Sequence, residues 1–269
     1  MSSDKPYWHR QTPDQPLFPD LLWSRPENRR QAGKLLIMGG NAHGFAAAAE
    51  AYNTAVGAGI GTARVLLPDS LQKTVGKVLE AGEYAPSTPS GSFARKALAE
   101  VLAMAGWADS LLLAGDFGRN SETAVVLEQL LGKYDGQLTL AKDAVDYFAR
   151  TARPLVEREN TLLVLSFAQL QKLAAGAGVT KAFTFNMDML RLIDALHEFT
   201  SSRPAAIITK HLDTIFVAAD GQVSSTKLAQ DREIWRVRTA AQASVWWLQN
   251  PGKPFEALTS AVMEPRGDE

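Results

Sequence analysis

The chain has 269 residues, with 28 Lys and Arg set against 29 Asp and Glu, four His and no Cys. That length suffices for one large α/β domain with a full core, while the near-zero, interspersed charge argues against a nucleic-acid surface, an acidic tail or a membrane-binding face. Without cysteine there is no disulfide framework, thiolate nucleophile or Cys-based metal site, and the scattered histidines give no ligand spacing, so no metal site is expected from side chains alone.

The N-terminal stretch Met1 to Arg10 is polar with no apolar signal-like region, and no apolar run reaches the ~18 residues of a membrane span, so a soluble, cytoplasmic protein is the expectation. Residues 1–33 hold five prolines and two tryptophans, which fits an extended arm rather than a helix. Trp8 and Trp23 imply that the arm packs against something, either the flank of its own domain or a second subunit in a homo-oligomer. Residues 34–269 are expected to form a single domain.

That domain begins with a strand over Leu35 to Met38, a Gly39-Gly40 turn and an Ala-rich helix over 45–56. Gly57, Gly59 and Gly61 then end the helix before a second strand, Thr62 to Leu67. This is a βαβ unit with a buried parallel strand, and ligands in such sheets sit at the strands' carboxyl ends. The glycines do not form the dinucleotide fingerprint Gly-x-Gly-x-x-Gly.

A helix is expected over Ser70 to Ala81, a loop over Tyr84 to Ser92, a helix over 94–106 and a strand over Ser110 to Ala114. That strand runs into Gly115-Asp-Phe-Gly118-Arg119-Asn120, a second glycine turn ahead of a helix over Ser121 to Leu131. Strands over Gln137 to Leu140 and Thr161 to Leu165 each lead into a helix, and Asn186 is expected to cap a helix reaching about Phe199. Ala205 to Thr209, Thr214 to Ala218 and the piece after Asp220-Gly221 have the short spacing of an antiparallel edge meander. Helices over about 232–249 and 254–263 close the chain.

In this order the pieces resemble the ribokinase-like superfamily, and within it the ATP- or ADP-dependent NAD(P)H-hydrate dehydratase family, over about residues 33–262. The resemblance rests on Leu36-Ile-Met-Gly39-Gly40-Asn41 with Gly57-Ala-Gly59, and on Gly115-Asp-Phe-Gly118-Arg119 where the family has Gly-Pro-Gly-x-Gly. It rests also on Asp143 at the second Asp of Asp-Ala-Asp, Lys210-His-Leu-Asp-Thr214 where the family has Lys-Gly-x-x-Thr, and the closing helix from Pro254. It implies a three-layer α/β/α sandwich with a mainly parallel central sheet and an antiparallel edge. The implied chemistry is ATP- or ADP-driven phosphorylation of an NAD(P)H hydrate, with magnesium as companion cation, then loss of phosphate. Lys210, His211, Asp213 and Thr214 would face the nucleotide. Gly40, Asn41, Gly44, Phe45, Gly115, Gly118, Arg119 and Asp143 would face the substrate.

The chain also departs from that pattern. The family's Gly-x-Gly-Asp turn supplies amides for the transferring phosphoryl group and an Asp as base; here there is no glycine between Gly221 and Gly252, and Trp235-Arg236 stands where Gly-Asp is expected. A guanidinium has no acceptor and cannot take the proton. Asp231 would supply a carboxylate only from a shifted loop. Val164 to Leu170 replaces Thr-Pro-His-x-x-Glu, Ala141 replaces the first Asp of Asp-Ala-Asp, and His211 replaces a glycine. The expectation is a relative with impaired or lost catalysis, the alternatives being a non-catalytic nucleotide- or protein-binding relative and a small-molecule kinase.

Individual residues carry competing readings. Lys210 is either a phosphate clamp or a solvated strand end, and Arg119 either a phosphate ligand or an exposed cation. Asp143 is either a site residue or the N-cap of its own helix. Trp246 and Trp247 read as core or interface packing before a base-stacking platform.

Overall fold

The computed structural model describes residues 5–12, 14–23, 25–179, 181–227 and 235–263. The chain opens with β1 (Trp8–Gln11), α1 (Pro19–Trp23), β2 (Lys34–Gly39), α2 (Ala46–Gly57), β3 (Thr62–Pro68), α3 (Gln72–Val75) and β4 (Gly82–Ala85). Next come α4 (Leu98–Trp107), β5 (Ser110–Gly115), α5 (Ser121–Leu131), β6 (Gln137–Ala141), α6 (Asp143–Asp146), α7 (Arg153–Val156), β7 (Thr161–Ser166) and α8 (Phe167–Gly176). The last third holds α9 (Met189–Ser201), β8 (Ala206–His211), β9 (Thr214–Ala219), β10 (Gln222–Lys227), α10 (Trp235–Gln249) and α11 (Pro254–Ala261).

Among the described residues, ten strands form one sheet in the order β1-β10-β9-β8-β7-β6-β5-β2-β3-β4. Neighbours pair in parallel from β8 through β4, and β9 alone runs against the rest. The expected antiparallel edge is present, with one strand beyond it: β1 pairs in parallel with β10, Trp8 opposite Val223. The N-terminal arm thus finds its partner in the flank of its own chain.

Alternation along each strand splits the core into two. Leu36, Met38, Leu111, Leu113, Leu163 and Leu165 face a cluster with α4, α5, α8 and α9, while Leu35, Ile37, Leu112, Leu162 and Val164 face one with α2, α10 and α11. Leu35 to Met38 are fully buried, each such side chain contributing about 1.5–3 kcal/mol relative to exposure. Helices on both faces of a mainly parallel sheet make the α/β/α sandwich. Trp246 and Trp247 are buried in the second cluster, with the Arg25 guanidinium 4.5 Å from the Trp246 ring, so both are core residues.

Three local expectations are corrected. The helix over Ser70 to Ala81 reduces to one turn, α3, after a 3₁₀ turn at Asp69–Leu71, since Thr74, Val75 and Gly76 propagate a helix poorly, and the start of the loop expected from Tyr84 is instead an unexpected strand, β4, paired in parallel with β3. The cap of α9 is Asp188, which accepts from the Arg191 amide at 2.8 Å, rather than Asn186. Trp8 packs and donates to Ser225 Oγ at 3.0 Å, whereas Trp23 is 87% exposed.

Candidate functional site

The carboxyl ends of β2, β5 and β6 converge because glycine lets them. A Cβ on Gly39 would lie 2.5 Å from the Gly115 carbonyl oxygen, and one on Gly115 would lie 2.7 Å from Lys142 Cβ and 3.0 Å from Asp143 Oδ1. The Gly40 amide donates to the Gly115 carbonyl at 3.0 Å. In the first turn the His43 amide donates to Asn41 Oδ1 at 2.7 Å, while Asn41 Nδ2 reaches across to the Asp116 carbonyl at 2.6 Å. The two glycine turns are therefore tied into one rim.

The third member of the rim is Asp143. It is the first residue of α6, yet its carboxylate does not cap that helix: Oδ2 accepts from the Gly118 amide at 3.0 Å, while Oδ1 is buried with no hydrogen-bond partner. Burial pushes the carboxyl above its ordinary value, opposed first by the Gly118 amide; the Asp116 carboxylate raises it further and Lys142 lowers it. Tyr147 Oη donates to the Gly118 carbonyl at 2.7 Å and fixes the second turn from beneath.

Asp116 and Lys142 sit between these groups, and both were absent from the candidates read in the sequence. Lys142 Nζ donates to Asp116 Oδ1 at 2.5 Å, and the Ala47 amide, in the first turn of α2, donates to Asp116 Oδ2 at 2.8 Å. Both residues hold left-handed backbone, φ 61° and 51°. Their signal was faint: opposite charges two and three positions past Leu140 and Leu113, which are paired in register on adjacent strands.

Gln169 extends the rim toward β8. It completes a capping box with Ser166 at the start of α8, and its Nε2 donates to the Lys142 carbonyl at 2.7 Å and to Asp146 Oδ1 at 3.2 Å. Its Oε1 accepts from Arg236 NH1 at 2.8 Å. Burial holds the Arg236 guanidinium below its ordinary range, with Asp146 and Asp143 opposing. Gln169 thus stands at the third helical position, where the resemblance expects Glu.

The residues of the β8–β9 corner lie further along. His211 is buried with Nδ1 unpaired, its ring 4.6 Å from Phe167 and 5.7 Å from Phe185. Lys210 is half-buried and opposite Ser166 in register. Asp213 and Thr214 serve the corner itself: Thr214 Oγ1 donates to Asp213 at 3.1 Å and Lys227 pairs with it at 3.2 Å. These contacts hold the Asp213 carboxyl below its ordinary value, Lys227 first and Thr214 next.

Structure thus brings Gly40, Asn41, Gly115, Gly118 and Asp143 together directly. Gly44 closes the first turn through its amide on the Asn41 carbonyl at 3.0 Å. Phe45 occupies the N-cap position of α2 without a side-chain cap, and Arg119 is exposed. Asp231 falls outside the described residues. Among the described residues no three His, Asp or Glu side chains group as a cation-holding cluster, and no helix is long and apolar enough to cross a membrane.

No family model and no curated protein matches the chain in sequence. Solved structures do. A ribokinase-like superfamily protein from Enterococcus faecalis superposes with a TM-score of 0.71 at 13% identity, over 98% of this chain and 87% of that one. An ADP/ATP-dependent NAD(P)H-hydrate dehydratase from Bacillus subtilis, co-crystallised with ATP and Mg2+, superposes at 0.62 and 12% identity, over 92% of this chain and 86% of that one. The fold is ribokinase-like.

Proposed function

We propose that this ribokinase-like protein binds a nucleotide in the crevice along the carboxyl ends of its parallel strands. On this reading it descends from NAD(P)H-hydrate dehydratases, with phosphoryl transfer impaired or lost. The observation that carries the reading is Arg236. A side chain from the first turn of α10, where a base is required, brings a guanidinium into hydrogen bonding with Gln169, and this group donates protons rather than accepting them.

The nucleotide end of the crevice is Lys210, His211, Asp213 and Thr214. Its substrate end is the rim of Gly40, Asn41, Gly44, Phe45, Gly115, Gly118, Arg119 and Asp143, taking the hydrated nicotinamide of an NAD(P)H hydrate. Asp213 and Thr214 act there through the corner they hold, since their side chains engage each other and Lys227. Magnesium needs one or two carboxylates beside the nucleotide phosphates; neither Asp143 oxygen is open to a cation, so exposed Asp146 is the carboxylate that would hold it, and the cation would neutralise phosphate charge. Trp23, exposed on the arm, is the contact through which a second copy would dock in a homo-oligomer.

Melting with ATP, ADP, NADH and NADPH tests the binding claim. A ligand at about 100 times its dissociation constant stabilises by roughly 2.7 kcal/mol, a visible shift. No shift with any of the four would remove the nucleotide site.

A further inference from the structure

Beyond the rim, also past the carboxyl end of a strand parallel to its neighbour, the loop between β4 and α4 opens a cleft of about 810 Å³. That volume falls within the usual range for a small-molecule site. Ser87, Thr88 and Pro89 of the loop line it together with Arg95, Lys96 and Glu122. The loop is held in shape from within. Thr88 Oγ1 bonds Ser90 Oγ at 2.9 Å and accepts from the Ser92 amide at 3.2 Å, while Asp69 Oδ1 accepts from the Ser87 amide at 3.0 Å. It is also tied to both glycine turns. Gly91, at φ 75°, leaves no room for a Cβ beside Ala42, and its carbonyl accepts from the Ala42 amide at 2.9 Å. Asn120 Nδ2 donates to Ser90 Oγ at 3.1 Å. Cleft and rim thus share a wall.

The charges in the cleft do not cancel one another. Glu122 Oε2 accepts from the Arg95 backbone amide at 2.8 Å, rather than from a cationic side chain. Arg95 and Lys96 are exposed, and among the described residues neither side chain makes an ion pair. Two unpaired cations lining one cleft suit a phosphate, since a guanidinium engages two of its oxygens at once and an ammonium adds a point charge. Glu122 Oε1 remains to accept from a hydroxyl.

We propose that this cleft binds a sugar phosphate, with the phosphate on Arg95 and Lys96 and a neighbouring hydroxyl on Glu122. Two sources carry that chemistry: a free sugar phosphate, or the ribose phosphate of a dinucleotide reaching across from the rim. In the order β2-β3-β4 the two places are separated by two strand spacings, about 10 Å. The site is the same in either case and does not depend on the function proposed above.

Ribose 5-phosphate, inorganic phosphate and ribose, titrated into the full chain with the Arg95 and Lys96 amide resonances as readout, test the proposal. A saturable shift is expected with ribose 5-phosphate, a weaker response with inorganic phosphate and none with ribose. Lys96→Met and Arg95→Gln fall on exposed side chains, so the fold should persist, and each should weaken ribose 5-phosphate binding about tenfold. Glu122→Gln keeps an acceptor for the Arg95 amide and removes a negative charge. It should tighten inorganic phosphate and narrow the preference for ribose 5-phosphate over it. No saturable shift in the wild-type protein, or an affinity unchanged in both cation variants, would overturn the proposal. NADPH separates the sources. Displacement of ribose 5-phosphate together with shifts of the Gly40 and Gly118 amides assigns the group to a ligand spanning to the rim; ribose 5-phosphate binding undisturbed by NADPH assigns it to a separate ligand.

Discussion

Arg236 NH1 donates to Gln169 Oε1 across 2.8 Å, joining the first turn of α10 to the first turn of α8. Gln169 is 7% exposed and also caps α8 and holds the Lys142 carbonyl and Asp146. One amide thus fixes three elements of the rim.

Gln169→Ala should therefore destabilise the protein by roughly 2–3 kcal/mol, since it removes a capping box and leaves buried polar groups unpaired. Arg236→Met, which removes one bond and one desolvated charge, should cost less, about 1 kcal/mol. Urea denaturation midpoints of the two variants compare them directly. Equal costs would mean that Gln169 is held mainly by Arg236.

Asp143 makes stability depend on pH in a defined sense. Its native carboxyl sits above the ordinary 3.8 chiefly because of burial, so the folded state holds the proton more tightly than the unfolded chain. Stability then falls as pH rises through the interval between 3.8 and the raised native value. Asp143→Asn removes that loss: it should be more stable than wild type at neutral pH, with the advantage shrinking on acidification. Melting temperatures of both proteins across this range check the sign, and an advantage that grows on acidification would contradict it.

The arm is fastened through Gln11, 2% exposed, whose Nε2 donates to Thr226 Oγ1 at 3.2 Å and the Thr259 carbonyl at 2.9 Å, and whose Oε1 accepts from the Leu17 amide at 3.2 Å. Gln11→Ala should cost about 1–3 kcal/mol. It should also loosen β1, bringing faster hydrogen exchange at the β10 amides that β1 covers. Exchange unchanged from wild type would place the arm's anchor elsewhere.

The central parallel strands were legible because burial on both faces leaves continuous apolar runs such as Leu35 to Met38, and their glycine ends marked the rim; the edge strand β4 buries only Ala85 and offers no such run. β1 was not, since its partner lies more than 200 residues away along the chain and prolines on either side masked a four-residue strand. Asp143 was legible as a strand-end residue, but its orientation toward Gly118 depends on the second turn. Asp116 and Lys142 mean little singly; the register of β5 against β6 is what pairs them. Trp23 was expected to pack as Trp8 does, yet only Trp8 lies on the sheet.

The most direct measurement of the central claim is recovery of nicotinamide absorbance when hydrated NADPH is incubated with the protein, ATP and Mg2+. On the proposed reading, with the Arg236 guanidinium where the resemblance expects Gly-Asp, the expected result is binding seen as a melting shift and no recovery above the protein-free rate. Recovery above that rate, lost again in Asp231→Asn, would contradict it and assign the base to Asp231.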